Sequence, residues 1–158
     1  MTATGWTGTL LAIHITPRKS QPMQRLEEAT LIPGAGIEGD RYALGTGTYS
    51  FKAGEDRQIT LIEAEMLERV AKDDGHEITL DEHRRNLTVE GVPLQHLVGL
   101  RFRVGACLLE GVRINQPCEY LDAKLGRKVM MPLWNRSGLN AKVVEGGMIR
   151  PGDTLEAV

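Results

Sequence analysis

The segment LRFRVGACLLEGVRI, residues 100–114, decides the fold class of this chain. Within it, Phe102 and Val104 alternate with arginines, which is the two-residue period of a β-strand that has one apolar face. A Gly-Ala pair then separates this run from a second apolar run that begins at Cys107. The segment therefore predicts a β-hairpin.

Short apolar runs of the same kind recur along the rest of the chain and predict further strands. They lie at residues 9–15, 27–33, 57–62, 86–91, 140–147 and 153–158. The closing residues 145–158 are typical of a strand, a Pro-Gly corner and a second strand. Strands at these short intervals, without regular βαβ alternation, predict a mainly antiparallel β-barrel.

Helices are predicted at residues 62–74, 117–125 and 130–137. The first of them rests on the spacing of Ile62, Met66 and Val70, and Gly75 is its predicted C-cap. No linker, internal repeat or low-complexity tract divides the sequence. Residues 1–158 are therefore predicted to form a single domain.

Composition excludes several classes of function. The chain has 19 Lys and Arg against 21 Asp and Glu, a net charge of −2, so no overall field draws it to nucleic acid or anionic lipid. Aromatic residues make up only 4%, which argues against a binder that stacks single-stranded bases. The apolar run near the N-terminus is short and has no basic residue before it, unlike a signal peptide. We expect a cytoplasmic protein with reduced thiols and no nucleic-acid or membrane partner.

The sequence GAGIEG, residues 34–39, matches the GxGxxG pattern of dinucleotide-binding proteins. That pattern needs a helix to follow it, and the glycines scattered through residues 40–57 break any helical periodicity. The sequence therefore favours a glycine-rich loop between strands. Asp40 and Arg41 lie in this loop, where they can shape a pocket for an anion.

Cys118 is the main candidate for chemistry, in the segment RINQPCEYLD. Pro117 suits the first helical position, which predicts that the cysteine lies in the first turn of a helix. There the unpaired backbone amides favour a thiolate, the form that attacks, carries sulfur or binds a soft metal. Glu119 opposes this effect because it is a second negative charge.

A packing role for Cys118 is equally open at this point. Cys118, Leu121 and Leu125 share one helical face, and a buried cysteine is a common small apolar residue. Cys107, the other cysteine, lies in a strand with no cation beside it, so we predict that it only packs. Two cysteines without a CxxC pair also make a structural zinc site improbable.

Arginines are the candidate anion ligands. Arg84 and Arg85 precede Asn86 at the start of a predicted strand, and Arg136 lies in the later segment WNRSG. Adjacent arginines often form a solvated surface pair, but at the end of a strand they can also clamp a phosphate. The histidines show no metal-binding spacing and are predicted to be structural, with His83 near a possible pocket.

These pieces together resemble the MOSC domain family, which includes the C-terminal part of molybdenum-cofactor sulfurases and small stand-alone bacterial proteins. The resemblance rests on ordered segments between about Gly36 and Asp153. They are GIEGDRYA, RQITLIEAEMLE, RRNLTVEGVPLQHLVGLRFRVG, PCEYLD and RSGLNAKVVEGGMIRPGD.

The resemblance implies a mainly β fold, an MOSC-like β-barrel of the pyruvate-kinase type with a few peripheral α-helices. It also implies a pocket lined by a cysteine that either carries sulfur as a persulfide or ligates molybdenum in a bound pterin, the molybdenum cofactor (molybdopterin). Pyridoxal phosphate binding is implied at the level of the family only. Cys118 matches that catalytic and metal-binding cysteine, and the cofactor-binding motifs correspond to Asp40, Arg41, Arg84, Arg85, Asn86 and Arg136.

We therefore predict a cofactor-binding protein in which Cys118 is the sulfur carrier or the molybdenum ligand. By resemblance, its activity would be sulfur delivery or the reduction of N-hydroxylated compounds. The sequence holds no aminotransferase-like sulfurase domain, so a separate cysteine desulfurase or electron-transfer protein is the expected partner. Two alternatives stay open: a cofactor-free persulfide carrier that relays sulfur from a desulfurase, and a non-catalytic anion-binding module.

Overall fold

A computed structural model describes residues 5–45 and 57–158 of the chain. Its strands are β1 (Thr7–Ile15), β2 (Gln24–Leu26), β3 (Ala29–Ile32), β4 (Gly36–Ile37), β5 (Ile59–Glu63), β6 (Leu87–Glu90), β7 (Arg101–Val104), β8 (Cys107–Ile114), β9 (Leu139–Glu145), β10 (Gly147–Ile149) and β11 (Thr154–Ala157). Its helices are α1 (Arg41–Leu44), α2 (Ala64–Asp74) and α3 (Glu119–Leu125), with a 3-10 turn at Leu94–His96. No helix in the described ranges has the length and apolar character needed to cross a bilayer.

Seven of these strands close into a barrel, which confirms the predicted fold class. The order is β11-β7-β8-β9-β5-β6-β1, and the pairing of β11 with β1 completes the ring. Strand β2 extends the sheet beside β1, while β10, β3 and β4 form a separate small sheet. The barrel is mixed because β5 and β6 run parallel. Parallel neighbours need a long crossover connection, and α2 lies in it.

The predicted hairpin of β7 and β8 is present. Val104 pairs with Cys107, so the chain reverses tightly at the intervening Gly-Ala pair. The closing segment also forms strand, turn and strand as predicted, but its strands belong to different sheets. Strand β11 closes the barrel, whereas β10 pairs with β3.

The barrel interior is the main hydrophobic core, and Cys107 belongs to it. Its side chain is fully buried, and burial raises the pKa of this thiol. Cys107 thus packs in the core, as predicted. Phe102 is the largest fully buried side chain of the same core.

A second apolar cluster lies between the helices outside the barrel. It joins Ile62, Leu67 and Val70 to Leu121 of α3, with further contacts from Ile78, Val129 and Leu133. Asp122 also fastens α3 to the following segment, since its Oδ1 accepts hydrogen bonds from the backbone N–H groups of Val129 (2.7 Å) and Met130 (2.8 Å). Helix α3 is thereby held in place from its buried face.

The predicted helices are only partly correct. Helix α2 begins at Ala64 rather than residue 62, and Gly75 ends it with a φ of 73° and an N–H donated to the carbonyl of Ala71. The third predicted helix, over 130–137, is wrong: this stretch is a series of turns. Pro132 lacks a backbone N–H, and Asn135 adopts a left-handed φ of 62°, so a regular helix cannot run through it.

The GAGIEG segment forms no dinucleotide-binding unit in the described residues. Gly36 and Ile37 make the short strand β4, and the helix that follows it within residues 38–45, α1, has four residues. Gly36, at a φ of 124°, lies against the start of β5, where a Cβ atom would come 2.2 Å from the carbonyl oxygen of Gln58. Its lack of a side chain is thus a packing requirement. The later glycines of this stretch, at 47 and 54, lie outside the described residues.

Candidate functional site

Cys118 is the N-cap of α3 and not a first-turn residue, which corrects the predicted start of this helix. Its backbone is extended, with φ of −137° and ψ of 170°, and its side chain is partly exposed. Pro117 disfavours a helical conformation for Gln116, and the extended backbone of Cys118 delays the start of the helix to Glu119. The thiol is therefore at the surface end of α3 and not sealed in the apolar cluster below.

Two contacts hold the segment before Cys118 in this extended form. The backbone N–H of Asn115 donates to the carbonyl of Gly138 at 2.8 Å. The side chain of Gln116 donates to Oδ1 of Asn135 at 2.9 Å and accepts from the N–H of Asn135 at 3.2 Å. The cysteine loop is thereby clamped to the turn that contains the RSG sequence.

Arg84 is buried, with only 6% of its surface exposed, and has a left-handed φ of 63°. Its Nη1 donates to the carbonyl oxygen of Gln21 at 2.9 Å, and its guanidinium carbon lies 6.0 Å from the ring centre of Tyr120. Burial lowers the pKa of Arg84, an effect that the phenol of Tyr120 partly offsets. The side chain is thus desolvated beside a residue of α3, two positions after the cysteine.

Arg85 reaches across to the RSG turn. Its Nε and Nη2 donate to the carbonyl (3.1 Å) and Oγ (2.5 Å) of Ser137, and its Nη1 donates to the carbonyl of His83 at 3.2 Å. Burial lowers the pKa of Arg85 to about 10, with Tyr42 and Cys118 acting in the opposite direction and Arg41 and Arg113 adding to the lowering. The guanidinium remains charged at neutral pH and is close enough to interact with Cys118.

Neither Arg84 nor Arg85 makes an ion pair with a carboxylate in the described part of the chain. Among the described residues, the hydrogen bonds of the two guanidinium groups go to carbonyl and hydroxyl oxygens. A guanidinium has five N–H donors, and within the part of the chain that the structure describes Arg84 uses one of them, on the carbonyl of Gln21. Desolvated cations without a counter-charge are costly, so this pair favours the binding of an anion.

The Asp40 and Arg41 pair supports Arg84. Asp40 is fully buried, and its Oδ1 accepts from Arg41 Nη1 (3.0 Å) and from the N–H of Thr16 (3.2 Å). Nη2 of Arg41 donates to the carbonyl of Arg84 at 3.0 Å, while its guanidinium stacks 4.4 Å from the centre of the Tyr42 ring. Arg41 thus pairs with the Asp40 carboxylate and also holds the Arg84 backbone, while the Arg84 side chain makes no ion pair of its own within residues 5–45 and 57–158.

Asn86 joins three strands beneath the arginines. Its Oδ1 accepts from the N–H (3.0 Å) and the hydroxyl (3.1 Å) of Thr60, and its Nδ2 donates to the carbonyl of His14 at 3.1 Å. The side chain is fully buried, so these bonds tie β1, β5 and β6 together. A direct contact between Asn86 and a cofactor stays a prediction.

Arg136 points towards α2 instead of the other arginines. Its guanidinium contacts Asp73 and Asp74 at the C-terminal end of that helix, each at 3.3 Å. Its neighbour Ser137 is the residue of this segment that contacts Arg85. A cofactor role for Arg136 stays a prediction.

Sequence reasoning missed several members of this cluster. Ser137 lies in the RSG sequence and Tyr120 lies next to the cysteine motif, so both were within reach of a motif argument. Gln21 contributes only its backbone carbonyl to Arg84, which no residue pattern reveals. The described residues contain no cluster of three or more His, Cys, Asp or Glu that could hold a metal ion.

Comparison with known proteins gives consistent results. The YuaD protein from Bacillus subtilis has the same fold, with a TM-score of 0.82 at 20% identity over 97% of this chain and 96% of that one. YiiM from Geobacillus stearothermophilus matches with a TM-score of 0.72 at 18% identity, over 96% and 75% of the two chains. YiiM from Escherichia coli matches with a TM-score of 0.68 at 19% identity, over 95% and 69%.

A search of curated protein sequences gave no match. The model of the MOSC domain matches residues 48–156, a range that contains Arg84, Arg85 and Cys118 but not Asp40 or Arg41. Since that match covers more than half of the sequence, and the fold agrees with it, this chain belongs to the MOSC domain family.

Proposed function

We propose that this protein binds the molybdenum cofactor, with Arg84 and Arg85 holding the anionic tail of the pterin and Cys118 acting as the thiolate ligand of the metal. The observation that supports the proposal most is a pair of desolvated arginines with no carboxylate partner among the described residues, one of which interacts with a partly exposed cysteine. A phosphate supplies the missing negative charge, and its oxygens match the forked geometry of guanidinium groups.

The residues present fit such a group. Cys118 offers one soft sulfur donor, which suits molybdenum, and the described residues offer no further metal-binding cluster. The remaining ligands would therefore come with the pterin. When bound, the cofactor would supply two-electron redox chemistry, which the family resemblance connects with reduction of N-hydroxylated compounds to amines and water.

The chain's own contribution is binding and orientation. Arg84 and Arg85 neutralise the anionic tail, the clamp between Gln116 and Asn135 holds the cysteine loop, and α3 places the thiol at its end. The electrons and the protons that balance the reduction would come from a separate electron-transfer protein and from solvent. In this proposal the protein binds and orients the cofactor, and a separate protein supplies its electrons.

The test is to express the full chain in cells that make the cofactor and to measure bound molybdenum and pterin. We expect both in the wild type, loss of molybdenum in Cys118→Ser, and loss of both in the double variant Arg84→Gln with Arg85→Gln. Arg103→Gln is the matched control because its guanidinium pairs with Glu145 on the outside of the barrel. Equal molybdenum in the wild type and Cys118→Ser contradicts the role of the thiol. Pterin without molybdenum in the wild type indicates an anion-binding module instead.

A second candidate function is a persulfide carrier, which the partial exposure of Cys118 favours. In this reaction the Cys118 thiolate attacks the outer sulfur of a desulfurase persulfide, and the desulfurase cysteine leaves as a thiolate. Incubation with a cysteine desulfurase and cysteine should then add the mass of one sulfur atom to Cys118. No added sulfur, or an equal addition to Cys118→Ser, rules this function out.

A further inference from the structure

Residues 83–85, just before β6, form a turn that is held by several hydrogen bonds. The backbone N–H of Arg85 donates to Nδ1 of His83 at 2.9 Å, and Nη1 of Arg85 donates back to the carbonyl of His83 at 3.2 Å. Between them, the carbonyl of Arg84 accepts from Arg41 Nη2 at 3.0 Å. His83 therefore contacts both the backbone and the guanidinium of Arg85.

These contacts determine the state of the imidazole ring. A backbone N–H can only donate, so Nδ1 of His83 must be the unprotonated acceptor. The ring proton then lies on Nε2, which donates to Oγ1 of Thr88 at 3.0 Å. The side chain is 1% exposed, and burial, together with the charges of Arg85 and His14, holds the pKa of His83 well below its usual range. The ring is a fixed neutral link between the turn and the barrel wall.

The backbone of the turn is also strained, and the hydrogen bonds of His83 help to maintain the strained conformation. Arg84 has a φ of 63°, a left-handed conformation that is strained for a residue with a side chain. The bond from Arg85 to His83 and the bond from Arg41 to the Arg84 carbonyl both hold this conformation, and loss of the first favours relaxation of Arg84 towards a negative φ. That rotation would redirect the side chains of Arg84 and Arg85 together.

We propose that His83 is the positioning residue of the candidate site, because its two hydrogen-bonded ring nitrogens hold the strained turn that aims Arg84 and Arg85. The inference rests on the proposed function for the purpose of this arrangement, since it assumes that the arginines bind an anion. His83 itself touches no ligand. It acts through the geometry of its two neighbours.

Two variants separate positioning from simple packing. His83→Asn keeps an acceptor close to the position of Nδ1, whereas His83→Gln keeps a polar group close to Nε2 and leaves the Arg85 N–H without its acceptor. The probe is inorganic phosphate, measured by titration calorimetry, with urea denaturation of each variant in phosphate-free buffer. A nitrogen-15 spectrum reports how slowly the Nε proton of Arg85 exchanges with water.

We expect the phosphate affinity of His83→Asn to be close to that of the wild type. The affinity of His83→Gln should fall about tenfold or more, which corresponds to the loss of one hydrogen bond between a misplaced arginine and the phosphate. The Arg85 Nε proton should stay protected in the wild type and in His83→Asn only. Equal affinity in the two variants, or affinity that simply follows their urea midpoints, overturns the inference.

The outcome for His83 is separable from the outcome for the proposed function. If the wild type does not bind phosphate but His83→Gln still loses protection of Arg85, the proposed function fails and the positioning role stands. If neither variant folds, the imidazole nitrogens of the wild type decide: a proton on Nδ1 overturns the inference, and a proton on Nε2 supports it.

Discussion

Substitution of Arg84 offers a direct measure of backbone strain at the candidate site. Arg84→Gly and Arg84→Ala both remove the guanidinium and its hydrogen bond to Gln21, so their difference isolates the backbone. At a φ of 63°, alanine keeps the left-handed penalty of about 1–2 kcal/mol. Glycine escapes it but loses about 0.5–1 kcal/mol of extra chain entropy on folding. Arg84→Gly should therefore be more stable than Arg84→Ala by about 0.5–1 kcal/mol.

Urea denaturation at neutral pH measures this difference, and a thermal scan should show a shift of about 2–4 °C per kcal/mol for a chain of this size. Arg85 supplies the matched control because its φ is not positive. There the order should reverse, with Arg85→Ala at least as stable as Arg85→Gly. An alanine variant at 84 that equals or exceeds the glycine variant would refute the strain argument. Phosphate affinity should fall equally in both Arg84 variants, because both lack the guanidinium that is proposed to bind the anion.

Three further perturbations test the electrostatics and packing around the site. Burial lowers the pKa of His14 and of His83, so the unfolded chain takes up protons before the folded one as the pH falls below about 6.5. The free energy of unfolding should then decrease by up to about 1.4 kcal/mol per pH unit for each histidine. A stability profile from urea denaturation that is flat between about pH 5 and 7 contradicts this. Burial raises the pKa of Glu63 to about 7, so the folded state keeps a proton that the unfolded state releases from about pH 4.5 upwards. Above pH 7, Glu63→Gln should therefore be more stable than the wild type by about 1 kcal/mol, a figure reduced for partial exposure. A gain in stability that does not change with pH argues against titration of Glu63 as its cause. Gly138→Ala places a Cβ 1.8 Å from a β5 carbonyl oxygen and should lower the free energy of unfolding, measured with urea, by more than about 3 kcal/mol. Gly99→Ala, with open space around it at a φ of 78°, should lower it by only about 1–2 kcal/mol. Equal losses would show that the close backbone contact at Gly138 does not determine the cost of alanine there.

Local patterns predicted the strands well because each strand shows its buried face in its own residues. Phe102 and Val104 alternate with arginines, and both apolar side chains are indeed fully buried in the barrel. Gly75 was identified as a C-cap for a similar reason, since a left-handed residue at a helix end favours glycine. Such features depend on neighbours within a few positions along the chain.

Long-range contacts explain what the patterns did not predict. The parallel pairing of β5 with β6 depends on where α2 packs, and no single segment carries that information. The extended segment before Cys118 is clamped through Gln116 to Asn135, a residue 19 positions away in the sequence. Arg84 and Arg85 were identified from their charge, but their acceptors, a carbonyl of Gln21 and Ser137, come from distant turns.

The most direct test of the central claim is the alkylation rate of Cys118 by iodoacetamide in the folded protein, with and without inorganic phosphate. Cys107 is an internal control because its side chain is fully buried. The account predicts that Cys118 alone reacts, that phosphate slows its reaction, and that Arg84→Gln combined with Arg85→Gln abolishes the protection. An unreactive Cys118, or the same rate with and without phosphate, would show that the thiol and the arginines do not share a site.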